Sequence, residues 1–267
     1  MRRIFGVLRD LVKLRTLAED APVPAKKVIR SLAVVICVAA VAGAAVWIWL
    51  WQARQPDTSL RRATVQKIES AIVIDGRLDD TAWKSVPATQ PFILSMTGRP
   101  APREATARLA WDNEALYVGF SVVDDDIDSP HTTRDDDLYT KDVVELFLDP
   151  DGDGLNYYEF EVSPSGVIFD ALFASHRKDL PRSRRWNGAG VEGAAVHIDG
   201  GWTAELKVPW SDIQHAPHSP PRVGDEWRGN LFRIDVHAQG GDFTAWTAPL
   251  RGDFHALDRF GTLVFVD

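Results

Sequence analysis

Carboxylates at steps of two residues form the clearest chemical motif of this sequence. The segment Asp149–Gly154 reads DPDGDG and presents the carboxylates of Asp149, Asp151 and Asp153. Hard oxygen ligands on a tight turn suit Ca²⁺. An EF-hand loop would have Glu at position 160, where this sequence has Phe160. The spacing therefore predicts a calcium site of another kind at these three aspartates, with an acidic hairpin turn as the alternative.

Residues that could catalyse a reaction are few. The sequence has no His-Glu-x-x-His zinc motif, no Gly-x-Ser-x-Gly elbow and no phosphate-binding glycine loop. Glu145, Glu159, Glu161 and Glu205 could supply a pair of carboxylates for glycoside hydrolysis. Their alternating positions are those of a polar sheet face, however, so we expect them to point into solvent. The sequence therefore indicates a protein that is not an enzyme.

Strands must position these residues, because apolar and polar residues alternate over most of the chain. Apolar side chains occupy every second position of 116–122 and 202–208, and similar runs occur at 107–111, 144–148, 158–162 and 232–236. Clusters rich in Asp, Asn, Gly and Pro separate these runs. Short strands with regular turn signals and one polar face predict an all-β fold, an antiparallel β-sandwich.

The N-terminal part has a different character. Ser31–Trp51 is free of charged residues, and as a helix it would be ~32 Å long, enough for a hydrocarbon core of ~30 Å. Lys26, Lys27 and Arg30 precede it, which predicts a cytoplasmic N-terminus. We therefore expect one N-terminal transmembrane helix at residues 28–51, an uncleaved signal anchor. A cleavable signal peptide is the alternative.

These patterns divide the chain into four segments. Residues 1–27 form a basic cytoplasmic segment, in which 2–18 is compatible with an amphipathic helix on the membrane surface. The transmembrane helix, a polar linker at 52–63 and the β-sandwich at 64–267 follow. The expected location is a bacterial inner membrane, with the C-terminal domain periplasmic or extracellular.

Charge and cysteine content exclude several classes of protein. The net charge is −8, and residues 31–267 carry 22 basic and 35 acidic side chains. Such an acidic body argues against nucleic-acid binding, which needs clustered Lys and Arg. The single cysteine, Cys37, allows neither an intrachain disulfide nor a cysteine-based metal centre.

Several phrases of the sequence occur in an order typical of one family. They are IDGRLDDTAW at 74–83, RLAWD at 108–112, LYVGF at 116–120, DVVELFLD at 142–149, YYEFEV at 157–162 and GWTAELKVPW at 201–210. This series resembles the carbohydrate-binding module family 9-like domains of the DOMON-like superfamily, over about residues 64–267. The resemblance implies a β-sandwich with a cleft on one sheet that holds sugar or, in related domains, haem b.

The resemblance also implies tryptophans at a sugar site, since sugar-binding members of the family clamp the ring between two of them. Flat apolar faces cover the C–H surface of a pyranose, and polar groups bind its hydroxyls. The candidates here are Trp186 with Asn187 in an arginine-rich loop, together with Trp111 or Trp246. The same loop could instead be a solvated or partner-facing patch, and Trp111 lies in a phrase typical of the core.

Haem b would require axial ligands such as Met and His on facing strands. The available residues are Met96 and one of His131, His176, His197, His237 and His255. A lone methionine in an apolar run is more typical of a core, so the sequence favours a protein without haem.

The sequence thus predicts a single-pass membrane-anchored, non-catalytic binding or scaffolding protein with an extracytoplasmic carbohydrate-binding-like sandwich. In one version the domain binds a glycan. In the other it is an accessory subunit of a respiratory or photosynthetic bacterial membrane complex, and its helix packs against neighbouring integral membrane subunits. A haem b-binding electron-transfer domain is a third alternative.

Overall fold

The computed structural model describes residues 23–52, 55–177, 183–238 and 240–267. The chain divides into two compact units, Met1–Gln55 and Pro56–Asp267. The amphipathic helix expected at 2–18 lies outside the described residues.

The described residues of the first unit form the α-helix α1 at Val23–Gln52. It includes the uncharged run Ser31–Trp51, in which Val34, Val41 and Trp47 are exposed. Within the part of the chain that the structure describes, no helix combines the length and the apolarity needed to cross a membrane.

The second unit is a β-structure, as the alternating pattern predicts. Its strands are β1 Arg62–Lys67, β2 Ile93–Leu94, β3 Ala105–Trp111, β4 Ala115–Val123, β5 Val143–Asp149, β6 Tyr157–Val162, β7 Ile168–Phe173, β8 Glu192–Ile198, β9 Gly201–Pro209, β10 Glu226–His237, β11 Gly240–Ala245 and β12 Gly261–Val266. They form one sheet in the order β7-β6-β5-β10-β12-β1-β3-β4-β9-β8, and β11 pairs with both β10 and β2. The all-β prediction is therefore confirmed for this unit.

Pairing in the sheet is antiparallel except at β1. This strand runs parallel to β12, with Arg62 beside Thr262 and Gln66 beside Val266, and parallel to β3. The expected purely antiparallel sandwich is corrected at this point. Because β1 brings the start of the domain next to its last strand, it joins the two halves of the sheet through main-chain hydrogen bonds.

The main core lies between the two halves of this folded sheet. Val144 and Leu146 of β5 point into it from one half, and Trp202 and Leu206 of β9 point into it from the other. A close approach is needed where Trp246 enters this core, because a Cβ at position 261 would lie 2.3 Å from its ring. Only glycine fits there without displacing the indole.

The outer faces of both halves are also covered, contrary to the simple alternating pattern. Phe147 and Phe232 belong to a second cluster on the outer face of β5 and β10, and Trp83 belongs to a third, over β3 and β4. As a consequence Glu145, Glu159, Glu161 and Glu205 are all less than 10% exposed. The prediction that these glutamates point into solvent is wrong, because loops cover the sheet face that carries them.

Candidate functional site

A cavity of about 510 Å³, here called the cleft, opens on the outer face of β5, β6, β7 and β10. Glu145, Glu159 and Glu161 line it from the strands that form its floor. Aromatic and apolar side chains form its walls, namely Tyr139, Phe169, Phe173, Ile234, Phe243 and Phe254. Strand alternation explains this arrangement, because the residues of β5 and β6 that flank these glutamates point to the main core instead.

The three glutamates of the floor are close neighbours. Glu145 of β5 lies directly opposite Glu161 of β6, and Glu159 lies opposite Phe147. Side chains paired in this way on one sheet face have Cβ atoms about 5 Å apart, and like charges there repel. If all three carboxyl groups of the floor were ionised, their charges would repel one another and destabilise this arrangement.

Burial changes the protonation of these groups. It raises the pKa of Glu145 well above its ordinary value, and the charge of Glu159 adds to this effect. Burial also raises the pKa of Glu161 well above the ordinary value, with repulsion from both other glutamates. For Glu159 burial raises the pKa to about 7, opposed by a hydrogen bond with Glu161 and by the nearby Arg184. The floor therefore offers carboxylic O–H donors as well as oxygen acceptors at neutral pH.

Two arginines line the cleft, and each has a carboxylate partner of its own. Arg177 Nη1 lies 3.7 Å from Asp253 Oδ1, while Arg184 forms an ion pair with Asp137. The guanidinium of Arg184 also lies over the ring of Phe169, 5.1 Å from its centroid. These contacts leave the arginines beside the floor glutamates rather than bound to them.

His255 closes one side of the cleft in a fixed position. Its Nδ1 lies 2.7 Å from the hydroxyl of Tyr157, and its Nε2 lies 4.0 Å from Glu159 Oε2. Burial, with repulsion from Arg177, lowers the pKa of His255 to about 4. The imidazole is therefore neutral at physiological pH.

The haem alternative can be tested on the same contacts. Met96 and His255 both line the cleft, whereas His131, His176, His197 and His237 are not among its lining residues. Of the axial ligands named from the sequence, the cleft thus brings together Met96 and His255.

The exposed rings at the mouth of the cleft are a phenylalanine and a tyrosine. Tyr139 is 49% exposed and Phe243 is 46% exposed, and both line the cavity. Deeper inside, Phe254 stacks on Phe232 with ring centroids 4.1 Å apart. The sequence interpretation missed them because it considered tryptophan alone, although Phe243 stands out as an aromatic ring within the polar segment Gly240–Thr244.

The arginine-rich loop presents different residues from those expected. Trp186 is half-buried and packs edge-on against Tyr158, with centroids 5.3 Å apart, at the border of the main core. Asn187 is exposed, and with its amide suitably oriented its nitrogen donates to Asp170 and Asp135. The loop contributes Arg184 to the cleft rather than Trp186 or Asn187.

Trp111 and Trp246 are core residues. They are 3% and 0% exposed, and their indole N–H groups donate to the Val266 carbonyl and to Gln90. Buried rings cannot present a flat face to a sugar. The structure therefore does not bring the four predicted sugar-binding residues together, because two of them fill the sandwich interior.

The three predicted metal ligands do lie together. Ligand oxygens of Asp149, Asp151 and Asp153 are all within 4.8 Å of one another. Gly152 and Gly154 adopt positive φ angles of 72° and 78°, which glycine tolerates and which fold the turn back on itself.

Asp149 is the buried member of this group. Its Oδ2 accepts a hydrogen bond from the Gly154 N–H at 3.1 Å, whereas its Oδ1 is buried without a hydrogen-bond partner among the described residues. Burial and the charges of Asp151 and Asp153 raise the pKa of Asp149 to about 6. An unpaired buried oxygen beside two further carboxylates fits a cation with oxygen ligands.

A folded sheet of this kind, with an aromatic-walled cleft on one outer face, belongs to the class of β-sandwich modules. Residues 74–267 match the family described as carbohydrate family 9 binding domain-like. The chain therefore belongs to this family, which confirms the resemblance of its sequence phrases to carbohydrate-binding module family 9-like domains.

Similar proteins include parts of much larger enzymes. The chain is 26% identical over 194 residues to endo-1,4-beta-xylanase A of Thermoanaerobacterium saccharolyticum, covering 72% of this chain and 15% of the enzyme. It is 29% identical over 201 residues to exoglucanase XynX of Acetivibrio thermocellus, covering 72% and 16%. An extracellular protein of Arthroderma benhamiae is 26% identical over 204 residues, which is 68% of this chain and 83% of that protein. This chain thus spans less than a fifth of the two enzymes.

Solved structures share the fold. A putative carbohydrate-binding protein from Bacteroides uniformis superposes with a TM-score of 0.64 at 19% identity, covering 78% of this chain and all of that one. A carbohydrate-binding module of family 9 from Caldicellulosiruptor kristjanssonii, in complex with cellotriose, superposes with a TM-score of 0.58 at 20% identity, covering 77% and 94%.

Proposed function

We propose that this chain is a non-catalytic glycan-binding protein and that the cleft is its sugar site. The observation that carries the proposal is the chemistry of the cavity, which combines aromatic walls with a floor of carboxyl groups. Aromatic faces cover the C–H surface of a pyranose, and carboxyl groups exchange hydrogen bonds with its hydroxyls. A cavity of about 510 Å³ falls within the size range of small-ligand sites.

Related modules suggest which sugars to test first. The family 9 module from Caldicellulosiruptor kristjanssonii was solved with cellotriose and with glucose. Two sequence relatives are a xylanase and an exoglucanase, of which the similar region is a small part. We infer that β-1,4-linked gluco- and xylo-oligosaccharides are suitable first ligands.

The state of the floor glutamates suits recognition of hydroxyl groups. Burial raises the pKa of Glu145 and Glu161 well above the ordinary value and that of Glu159 to about 7, so the floor presents O–H donors and oxygen acceptors to a sugar. Support for binding without turnover comes from the relatives, because the region similar to this chain is less than a fifth of the xylanase and of the exoglucanase.

Calorimetry of the full chain in mild detergent tests the sugar site. We expect cellotriose or a xylo-oligosaccharide to bind, and we expect Phe243→Ala and Tyr139→Ala to weaken binding about tenfold each, the loss typical of one stacking ring. Val223 is also exposed and apolar but does not line the cleft, so Val223→Ala should bind like the wild type. Equal affinities for all four proteins would exclude the cleft as the site.

We also propose, on the ground of the sequence, that the N-terminal segment containing Ser31–Trp51 attaches the domain to a bacterial inner membrane, with the domain outside the cytoplasm. Support comes from the uncharged run Ser31–Trp51 after Lys26, Lys27 and Arg30, and from the exposed apolar side chains of α1. Protease added to intact spheroplasts should then degrade the domain. Resistance in spheroplasts with digestion in inverted vesicles would reverse the orientation.

A second candidate function follows from the same helix. If α1 packs against integral membrane subunits, the protein is an accessory subunit of a larger complex. Purification of the full chain in mild detergent would then recover stoichiometric integral membrane proteins, and recovery of the chain alone would count against this role.

We further propose that Asp149, Asp151 and Asp153 bind Ca²⁺. The clustered ligand oxygens and the unpaired Oδ1 of Asp149 support this proposal. A cation in this position would pin the turn between β5 and β6, the two strands that carry the floor glutamates of the cleft.

A further inference from the structure

Among the described residues, no Lys or Arg forms an ion pair with the carboxyl groups on the floor of the cleft. Glu145 and Glu161 face each other across β5 and β6, and both are buried. Glu161 Oε2 is buried without a hydrogen-bond partner among the described residues. An oxygen in that state costs free energy unless a proton, a cation or a ligand donor meets it.

The nearest positive groups of the described chain are already engaged. Arg184 pairs with Asp137, and Arg177 lies beside Asp253. The nearest ring nitrogen, Nε2 of His255, lies 4.0 Å from Glu159 and belongs to a neutral imidazole. Within the described residues, no Lys or Arg nitrogen lies within 4.0 Å of the three floor glutamates, so a cationic group from a ligand would find unclaimed carboxylates.

The walls suit the same chemistry. Phe169, Phe173, Phe243, Phe254 and Tyr139 line the cavity above the glutamates. The faces of aromatic rings attract an organic cation, and this attraction is strongest where water is excluded. A site made of aromatic walls and an acidic floor therefore favours a ring-shaped ligand that carries an ammonium group.

On the premise that the cleft binds sugar, we propose that it selects glycans with unacetylated amino sugars, whose ammonium group lies against Glu161 and Glu145. The ammonium donates hydrogen bonds to the carboxylate oxygens, including Oε2 of Glu161. A proton that a floor carboxyl group held before binding passes to the amino group where that group is neutral, and to the buffer where it is already an ammonium, so that charge and atoms balance. The sugar ring packs against the aromatic walls.

Three trisaccharides with one backbone provide a direct test. The β-1,4-linked trimers of glucose, N-acetylglucosamine and glucosamine differ only in the substituent at C2, which is hydroxyl, acetamide or ammonium. With the full chain in mild detergent at pH 7, we expect the glucosamine trimer to bind about thirtyfold more tightly than cellotriose, the order of magnitude of one buried charge pair.

Variants and controls separate charge from shape. Glu161→Gln should abolish the preference for the glucosamine trimer over cellotriose, and Glu145→Gln serves the same purpose if the first variant does not fold. Glu69 is exposed and does not line the cleft, so Glu69→Gln should keep the preference. If Glu69→Gln and Glu161→Gln behaved alike, the floor carboxylates would not be the cause.

A second readout needs no variant. Titration of the wild type in two buffers with different heats of ionisation reports protons released on binding. At a pH where the amino groups of the free glucosamine trimer are fully protonated, we expect release with this trimer and none with cellotriose. Affinity for the amine should fall from pH 7 to pH 5, as protons compete for Glu145, Glu159 and Glu161. The other charged or titratable groups lining the cleft are Arg177, Arg184, Asp253 and His255. Against burial, hydrogen bonds from His176 and from the His255 N–H lower the pKa of Asp253, and burial lowers that of His255 to about 4, so the change between pH 7 and pH 5 reports the floor glutamates.

The outcomes distinguish this inference from the proposed function. Equal or tighter binding of cellotriose or of the acetylated trimer would overturn the amino-sugar inference while the sugar site stands. If none of the three trimers bound to the wild type, the proposed sugar site itself would be wrong. Cyclohexylamine that binds as tightly as the glucosamine trimer would show that the cleft selects amines without regard to sugar, which also overturns the inference.

Discussion

Trp83 donates its indole N–H to Glu205 Oε1 across 2.7 Å, and both side chains are buried. The other carboxylate oxygen, Oε2, accepts the backbone N–H groups of Asp75 and Gly76 at 3.0 and 2.9 Å. Three donors therefore satisfy one buried carboxylate, and they tie residues 75–83 to the outer face of β9. Two sequence phrases typical of the family, at 74–83 and 201–210, meet at this carboxylate.

Removal of this carboxylate should destabilise the domain strongly. We expect Glu205→Ala to lower the free energy of unfolding by about 3–5 kcal/mol, because it leaves the buried donors of Trp83 and Gly76 and the part-buried N–H of Asp75 unpaired. Trp83→Phe should cost less, about 1–3 kcal/mol, since it removes one donor and keeps most of the packing. Urea denaturation measures both, and a loss below about 1 kcal/mol for Glu205→Ala would contradict the assigned hydrogen bonds.

The floor glutamates should make the domain less stable as pH rises. Their pKa values are raised by burial, to about 7 for Glu159 and well above the ordinary 4.5 for Glu145 and Glu161. The folded state then binds more protons than the unfolded state above about pH 4.5, so the free energy of unfolding falls as pH increases through the folded pKa values. We expect a loss of at least about 1 kcal/mol between pH 5 and pH 8 from these groups.

A comparison with the double variant Glu145→Gln, Glu161→Gln isolates this contribution. Other buried groups titrate in the same range: Asp142 and Asp170 have pKa values raised to about 6. His255, with a pKa lowered to about 4, acts in the opposite direction and loses stability as pH falls. Subtraction of the two pH profiles cancels these groups, and parallel profiles would refute the raised pKa values of Glu145 and Glu161.

Calcium should stabilise the domain through the turn between β5 and β6. At a Ca²⁺ concentration about a hundredfold above the dissociation constant, binding adds about 2.7 kcal/mol, which corresponds to a rise in melting temperature of roughly 5–10 °C. Asp149→Asn should abolish this shift. Asp79 is exposed and outside the cluster, so Asp79→Asn should retain the Ca²⁺-dependent shift in melting temperature. A wild-type melting temperature that changes with neither Ca²⁺ nor a chelator would rule out the site.

Trp186 should matter for folding rather than for ligand binding. Its ring packs against Tyr158 and Phe160 at the border of the main core, so Trp186→Ala should lower the free energy of unfolding by about 2–4 kcal/mol. The affinity of the Trp186→Ala variant for cellotriose should equal that of the wild type at a temperature where both proteins are folded. Loss of affinity without loss of stability would restore Trp186 as a sugar contact.

The strands could be predicted from sequence because alternation reports which face meets the core. The apolar positions of 202–208 predict a strand, and the structure places β9 at Gly201–Pro209. The same pattern failed for Glu145, Glu159, Glu161 and Glu205. Alternation distinguishes the two faces of a strand, but it contains no information on whether a distant loop covers the second face.

The cleft could not be predicted from the sequence pattern for a related reason. Tyr139, Phe173 and Phe243 come from three separate parts of the chain, and only the folded sheet brings them to one cavity. The parallel pairing of β1 with β12 is equally long-range and has no local signature. The aspartates at 149, 151 and 153, by contrast, could be grouped from sequence because a single turn holds them together.

The parallel alignment of β1 with β12 has a mechanical consequence. Tension applied at Arg62 and at Val266 would pull these strands along their length in opposite directions, since Arg62 lies beside Thr262 and Gln66 beside Val266. The main-chain bonds between them would then be loaded together in shear instead of opening one after another like a zipper. A domain held at its first strand and dragged from its last would resist rupture along this seam.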